Sequence, residues 1–312
     1  MRKYSKVLSL ALAFVMLFAL CACGAAETPA AEPTAAPAAD APASEAPAET
    51  EAPAESQGVL DQIKADGVLY ATLSPDFAPM EFVDSSKDGQ EQYVGFDVTL
   101  AKYIADYIGV DLVIEPMSFD ACQTAVYTGS VPMSISGYSW TEERGENYEI
   151  SDYYYAGDNE TEQVILIKKT DADKYTSAED FSGVDVGAQN ASLQMNLLTS
   201  QLPDANPITI GDLGVGVLEL QNGSIEALAV AKGNAEMILD SNPDLMICPW
   251  EFEVAAEYEA NVILITKGET ALLNIVNEAL AKAYADGLYG TWYEDAVALS
   301  KSENAAEVSV ED

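Results

Sequence analysis

Short apolar runs alternate with amphipathic stretches from Val68 to Leu299, and this alternation constrains the fold more than any other feature of the chain. Residues 68–73, 111–116, 163–168, 185–188, 227–231 and 261–266 read as strands, and a further short strand at 134–136 ends in a turn at Gly137. Residues 97–108, 120–128, 192–200, 214–222, 270–286 and 288–299 carry helical periodicity. Strands interleaved with helices predict an α/β architecture with mostly parallel sheets. Ligands of such sheets sit at the carboxyl ends of the strands.

The N-terminus predicts where the chain works. Arg2, Lys3 and Lys6 precede an apolar run over 7–20 that only Ser9 interrupts, and Cys21-Ala22-Cys23-Gly24 follows. A charged start, a short apolar stretch and small residues describe a secretory signal peptide over 1–23. The run is too short for a comfortable membrane span. Leu20-Cys21-Ala22-Cys23 also resembles a bacterial lipobox, with Cys23 as the lipidated cysteine and the first residue of the mature chain. Acyl chains there would anchor the protein on the outer face of the cell membrane, not through it. Residues 24–57 are almost entirely Ala, Pro, Glu, Thr and Ser. With little apolar area to bury, this segment reads as a disordered, acidic tether.

Composition excludes several chemistries. The chain has no histidine, so Ser-His-Asp and Cys-His nucleophile pairs and histidine metal sites are ruled out. Its 52 acidic against 14 basic residues, a formal charge of -38, oppose nucleic-acid binding. Cys122 and Cys248 are left as one disulfide or two buried thiols. Beyond the leader a single arginine remains, Arg144, in the run Ser136-Gly137-Tyr138-Ser139-Trp140-Thr141-Glu142-Glu143-Arg144. A lone guanidinium amid small hydroxyl residues offers a planar fork for a carboxylate or phosphate. The competing reading is a surface ion pair with Glu142, Glu146 or Glu149, which would contribute little.

Five motifs in order carry a family resemblance. Ser74-Pro75-Asp76-Phe77-Ala78-Pro79-Met80-Glu81-Phe82 follows the opening strand, and Val94-Gly95-Phe96-Asp97-Val98-Thr99-Leu100-Ala101 comes next. Then come Ser139-Trp140-Thr141-Glu142-Glu143-Arg144, Ile150-Ser151-Asp152-Tyr153-Tyr154 and, near the end, Ala285-Asp286-Gly287-Leu288-Tyr289. From Gly58 to about Ala298 the chain resembles the family 3 extracellular solute-binding proteins, the polar amino acid binding components of ABC transporters. The resemblance implies a two-lobed, periplasmic-binding-protein-like (type II) α/β fold with a hinge. Residues 58–156 and 260–312, including an acidic tail, would form the first lobe, and 157–259 the second.

It further implies a monomer that hands a small carboxylate-bearing ligand, an amino acid or a related acid, to an ABC permease and its ATPase. No cofactor, metal ligand or catalytic residue is expected. By resemblance Arg144 clamps the ligand carboxylate, with Ser192 reinforcing it from the start of a helix. Ser136, Gly137 and Ser139 fall on the ligand-facing turn, and Phe77 and Phe119 sandwich the ligand. Ser74 and Ala231 stand where the family places acids for the ligand ammonium. A buried ammonium without a carboxylate is strongly disfavoured. Either another acid such as Asp76 or Glu81 substitutes, or the ligand lacks a free α-ammonium. Two other readings share the fold: a dehydratase for prephenate-type acids, with Glu81 or Glu142 as acid or base, and a sensory module feeding a receptor.

Overall fold

The computed structural model describes residues 58–155, 162–258 and 260–306. The expected leader with Cys23, the expected tether over 24–57, residues 156–161, residue 259 and the end after 306 lie outside the described residues. Among the described residues no helix is long and apolar enough to cross a membrane.

The first stretch of chain runs α1 (Val59–Asp66), β1 (Val68–Leu73), β2 (Phe82–Asp84), β3 (Tyr93–Val94), α2 (Phe96–Ile108), β4 (Asp111–Pro116), α3 (Phe119–Tyr127), β5 (Met133–Ser139), α4 (Glu142–Asn147) and β6 (Glu149–Ile150). The second runs β7 (Gln163–Lys168), β8 (Asp185–Gln189), α5 (Leu193–Gln201), β9 (Asn206–Ile210), α6 (Leu213–Asn222), β10 (Ala227–Ala231), α7 (Lys232–Ser241) and β11 (Leu245–Ile247). The chain then returns as β12 (Asn261–Ile265), α8 (Thr270–Ala285), α9 (Leu288–Ser300) and β13 (Ala305–Ala306). One sheet has the order β4-β1-β5-β12-β6, and the other β11-β7-β10-β8-β9. These sheets are the centres of two lobes.

The central strands read as unbroken apolar runs because both of their faces are covered. In β12, Ile263 and Ile265 face the layer of α2, α8 and α9, while Val262 and Leu264 face Cys122 and Val126 of α3. In β7, Ile165 and Ile167 pack with α5 residues such as Leu197, and Val164 and Leu166 pack with α6 residues such as Leu220. Successive side chains thus serve opposite cores, as the two-residue period of a strand requires.

The sheets are mixed, not mostly parallel. β1 pairs parallel with β4 and β5, and β8 pairs parallel with β9 and β10. β12 runs antiparallel to β5 and β6, and β7 runs antiparallel to β10 and β11. The reason is topological: β7 and β12 arrive from the opposite lobe, so no helical crossover within one lobe fixes their direction. The strand expected to end at Gly137 also continues to Ser139, because β12 supplies partners for Tyr138 and Ser139. Cys122 and Cys248 are free, buried thiols in separate lobes.

Gly95 locks the start of α2 against the loop after β1. Its φ is 123°, and a Cβ there would lie 2.2 Å from the Met80 carbonyl oxygen. That close approach lets Phe96 N–H donate to the Pro79 carbonyl and Asp97 N–H to the Met80 carbonyl, pairing two otherwise orphaned helix donors. It also sets Asp97 beside Glu81, behind the cleft.

Candidate functional site

Between the lobes lies a cavity of about 30 Å³ lined by Asp76, Phe77, Phe119, Ser136, Gly137, Ser139, Arg144, Gln189, Leu193 and Gln194. β5 contributes Ser136, Gly137 and Ser139, α4 contributes Arg144, and the loop after β1 contributes Asp76 and Phe77. The second lobe supplies Gln189 at the carboxyl end of β8 and Leu193 and Gln194 in the first turn of α5.

Arg144 is 4% exposed. The Thr141 hydroxyl caps α4 by accepting Arg144 N–H at 3.2 Å, which orients the residue inward. Its guanidinium donates to the carbonyls of Ser139 (2.6 Å) and Ala191 (2.8 Å) and to Gln123 Oε1 (3.3 Å). The Tyr138 and Phe119 rings lie 5.1 and 5.8 Å from it. Among the described residues no carboxylate comes within ion-pairing distance, so the surface ion pair with Glu142, Glu146 or Glu149 does not form. Burial pulls its pKa down to about 10, which leaves it cationic at neutral pH.

The opposite charge comes from Asp76, 1% exposed. Its Oδ1 accepts the Ser74 hydroxyl at 2.7 Å, and its Oδ2 accepts Gln189 Nε2 at 2.9 Å and Leu213 N–H at 3.0 Å. Burial outweighs these donors and raises its pKa to about 6. Asp76 therefore reaches from one lobe to the other, as Arg144 does through the Ala191 carbonyl. Ala191 holds φ at 56°, a left-handed conformation that costs a non-glycine residue about 1–2 kcal/mol, and presents that carbonyl to both Arg144 and Gln123.

Phe77 packs against the cores of both lobes, and its ring closes over Gly137, where a Cβ would meet Phe77 Cε1 at 2.8 Å. Phe119 stands 5.0 Å from the Tyr138 ring. Three expected residues do not line the cavity. The Ser192 hydroxyl accepts Met195 N–H and caps its own helix, α5. The Ser74 hydroxyl is consumed by Asp76. Ala231 is buried at the end of β10, and the adjacent Lys232 pairs with Glu162 at 2.6 Å. Of the acids considered in place of Ser74 and Ala231, Asp76 lines the cavity, whereas Glu81 is buried behind it. Gln189, Leu193 and Gln194 carry no sequence signal; they reach the cavity only because the second lobe meets the first there.

The profile of the bacterial extracellular solute-binding proteins, family 3, matches residues 69–296. The chain is 26% identical over 223 residues to the probable histidine-binding protein of Campylobacter jejuni, covering 72% of this chain and 82% of that one. It is 29% identical over 226 residues to the arginine-binding extracellular protein ArtP of Bacillus subtilis, covering 70% and 82%. Among solved structures, an amino acid ABC transporter substrate-binding protein of Streptococcus pneumoniae bound to L-arginine superposes with a TM-score of 0.71 at 30% identity, covering 81% of this chain and all of that one.

Proposed function

Because the chain belongs to the bacterial extracellular solute-binding proteins, family 3, we propose that its cleft captures a free α-amino acid for an ABC importer, with Arg144 taking the carboxylate and Asp76 the ammonium. The observation that carries this reading is a buried guanidinium and a buried carboxylate on one small cavity that are not paired with each other. Each charge is desolvated and incompletely compensated, so a zwitterion that meets both gains more than a ligand that meets one. The ligand carboxylate takes the Arg144 fork from the Ala191 carbonyl. The Ser139 hydroxyl, which has no hydrogen bond among the described residues, adds a donor beside it, and Phe77 and Phe119 enclose the apolar part.

Histidine, arginine, cystine and glutamine are named for relatives of the chain, and these four are the first ligands to screen. The reading is binding without turnover, by a monomer. Neither acid that a dehydratase would use lines the cavity: Glu81 is buried behind it and Glu142 is exposed. Membrane attachment through a lipidated Cys23 completes the proposal, and mass spectrometry of the mature N-terminus tests it.

Titration calorimetry of the amino acid that shifts the melting temperature most, set against the same molecule with hydroxyl replacing the α-ammonium, tests the site. The amino acid is expected to bind at least about tenfold more tightly, the equivalent of one charge-assisted hydrogen bond. Equal affinities would remove Asp76 from the role.

A further inference from the structure

Glu81 and Asp97 lie at 0% exposure directly behind the cleft turn that carries Ser136 and Gly137. Glu81 Oε1 accepts the Ser136 hydroxyl at 2.6 Å. Asp97 Oδ2 accepts Gly137 N–H at 2.8 Å and the Tyr154 hydroxyl at 2.9 Å. The remaining oxygens, Glu81 Oε2 and Asp97 Oδ1, are buried without a hydrogen-bond partner, and each carboxyl group acts on the other's ionisation. Ionised carboxylates only accept hydrogen bonds, so two neighbouring orphaned oxygens can satisfy one another only when one of them carries a proton. Asp97 is the better seat for the charge: it accepts Gly137 N–H and Tyr154, and it lies in the first turn of α2, where the helix dipole favours an anion. Glu81, with one hydroxyl donor, is the better seat for a shared proton, which it would donate to Asp97.

We propose that Glu81 and Asp97 act as a one-proton, one-charge pair that positions the Ser136–Gly137 turn of the cleft. The pair also ties that turn to Tyr154, near where the chain leaves the first lobe and whose N–H donates to the carbonyl of Asn261, the first residue of the returning strand β12. These are positioning residues: neither lines the cavity. That the turn faces a ligand rests on the function proposed above, and the experiment below uses no ligand, so the two readings can fail separately.

Burial raises both carboxyl groups, and for Glu81 the neighbouring charges of Asp97 and Asp76 add to it. The other titratable groups acting on the pair are Tyr154, just after β6, Tyr138 on β5 and Cys122 on α3, all pushed upward themselves. Groups raised in this way stabilise the fold at low pH, and that contribution is lost as pH rises through their folded values. When the shared proton leaves to water, two adjacent buried anions remain, and their repulsion releases Ser136 and Gly137.

Infrared and amide NMR spectra of the mature protein, recorded above the pH range in which Asp76 ionises, test the assignment. Wild type is expected to show the carbonyl stretch of a protonated carboxyl group and a Gly137 amide proton shifted downfield by its carboxylate acceptor, both lost together as pH rises further. Glu81→Gln supplies the same donor and acceptor without a dissociable proton. It should lose the infrared band yet hold the Gly137 resonance unchanged over that range, whereas Glu81→Ala should lose both. Absence of the band from wild type, its persistence in E81Q, a Gly137 resonance in E81Q that titrates as in wild type, or failure of E81Q to fold would each overturn the proposal.

Discussion

Arg144 sits among neutral oxygens and two aromatic rings, which desolvates its charge without neutralising it. Arg144→Ala should leave the fold intact, since it removes a charge that pays for its own burial, and should weaken ligand binding by roughly 2–5 kcal/mol. Calorimetry on a variant of unchanged melting temperature checks this. Asp76 gives the site a pH dependence. Its carboxyl is raised from 3.8 to about 6, so it stabilises the ligand-free fold below 3.8 and loses that contribution, about 3 kcal/mol, as pH rises through 6. Binding of an ammonium runs the other way, because it needs the ionised form. Affinity should fall about tenfold per unit below pH 6, and Asp76→Asn should be weak and flat over the same range. The guanidinium was legible because beyond Arg2 the sequence has no other arginine to confuse it with. The proposed ammonium partner was legible only as one of two acids, since the choice between Asp76 and Glu81 depends on which of them reaches the cavity.

Gly95 shows how one position sets an element. Alanine there would drive its Cβ into the Met80 carbonyl and force a strained backbone, so Gly95→Ala should destabilise the protein by more than about 3 kcal/mol, read from urea unfolding. The spectral signature of the Glu81–Asp97 contact should weaken with it, because the docked start of α2 places Asp97. Elements with a clear apolar signature could be read directly: β1, β4, β7 and β10 begin and end where their apolar runs do. Others lacked one. β9, Asn206–Ile210, is a largely exposed edge strand containing Pro207, and α7 has two poor helix formers, Gly233 and Asn234, in its first turn, which tertiary packing holds in place. Strand direction escaped for a different reason: residue pattern specifies burial, and β7 and β12 owe their direction to the path between lobes.

Several contacts between the lobes are made by groups that line or flank the cleft. Asp76 joins Gln189 and Leu213, Arg144 and Gln123 join Ala191, and Asp120 accepts Asn190 Nδ2 at 2.9 Å. A cavity of about 30 Å³ holds two or three water-sized spheres of roughly 10–15 Å³ each, far less than an amino acid needs, so a ligand enters only after the lobes part. Opening therefore breaks hydrogen bonds to Asp76 and Arg144, and a ligand held by these two groups would reach Gln189, Leu193 and Gln194 of the second lobe only when the lobes rejoin, so closure and binding favour one another. Gln189→Ala tests this coupling without touching either charge. It deletes one hydrogen bond to a carboxylate, about 1.5–3 kcal/mol, which shifts the ratio of joined to parted lobes roughly tenfold to a hundredfold toward parting. Small-angle X-ray scattering should then give the ligand-free variant a larger radius of gyration than the wild type. An unchanged radius would show that the Asp76–Gln189 bridge does not hold the lobes together.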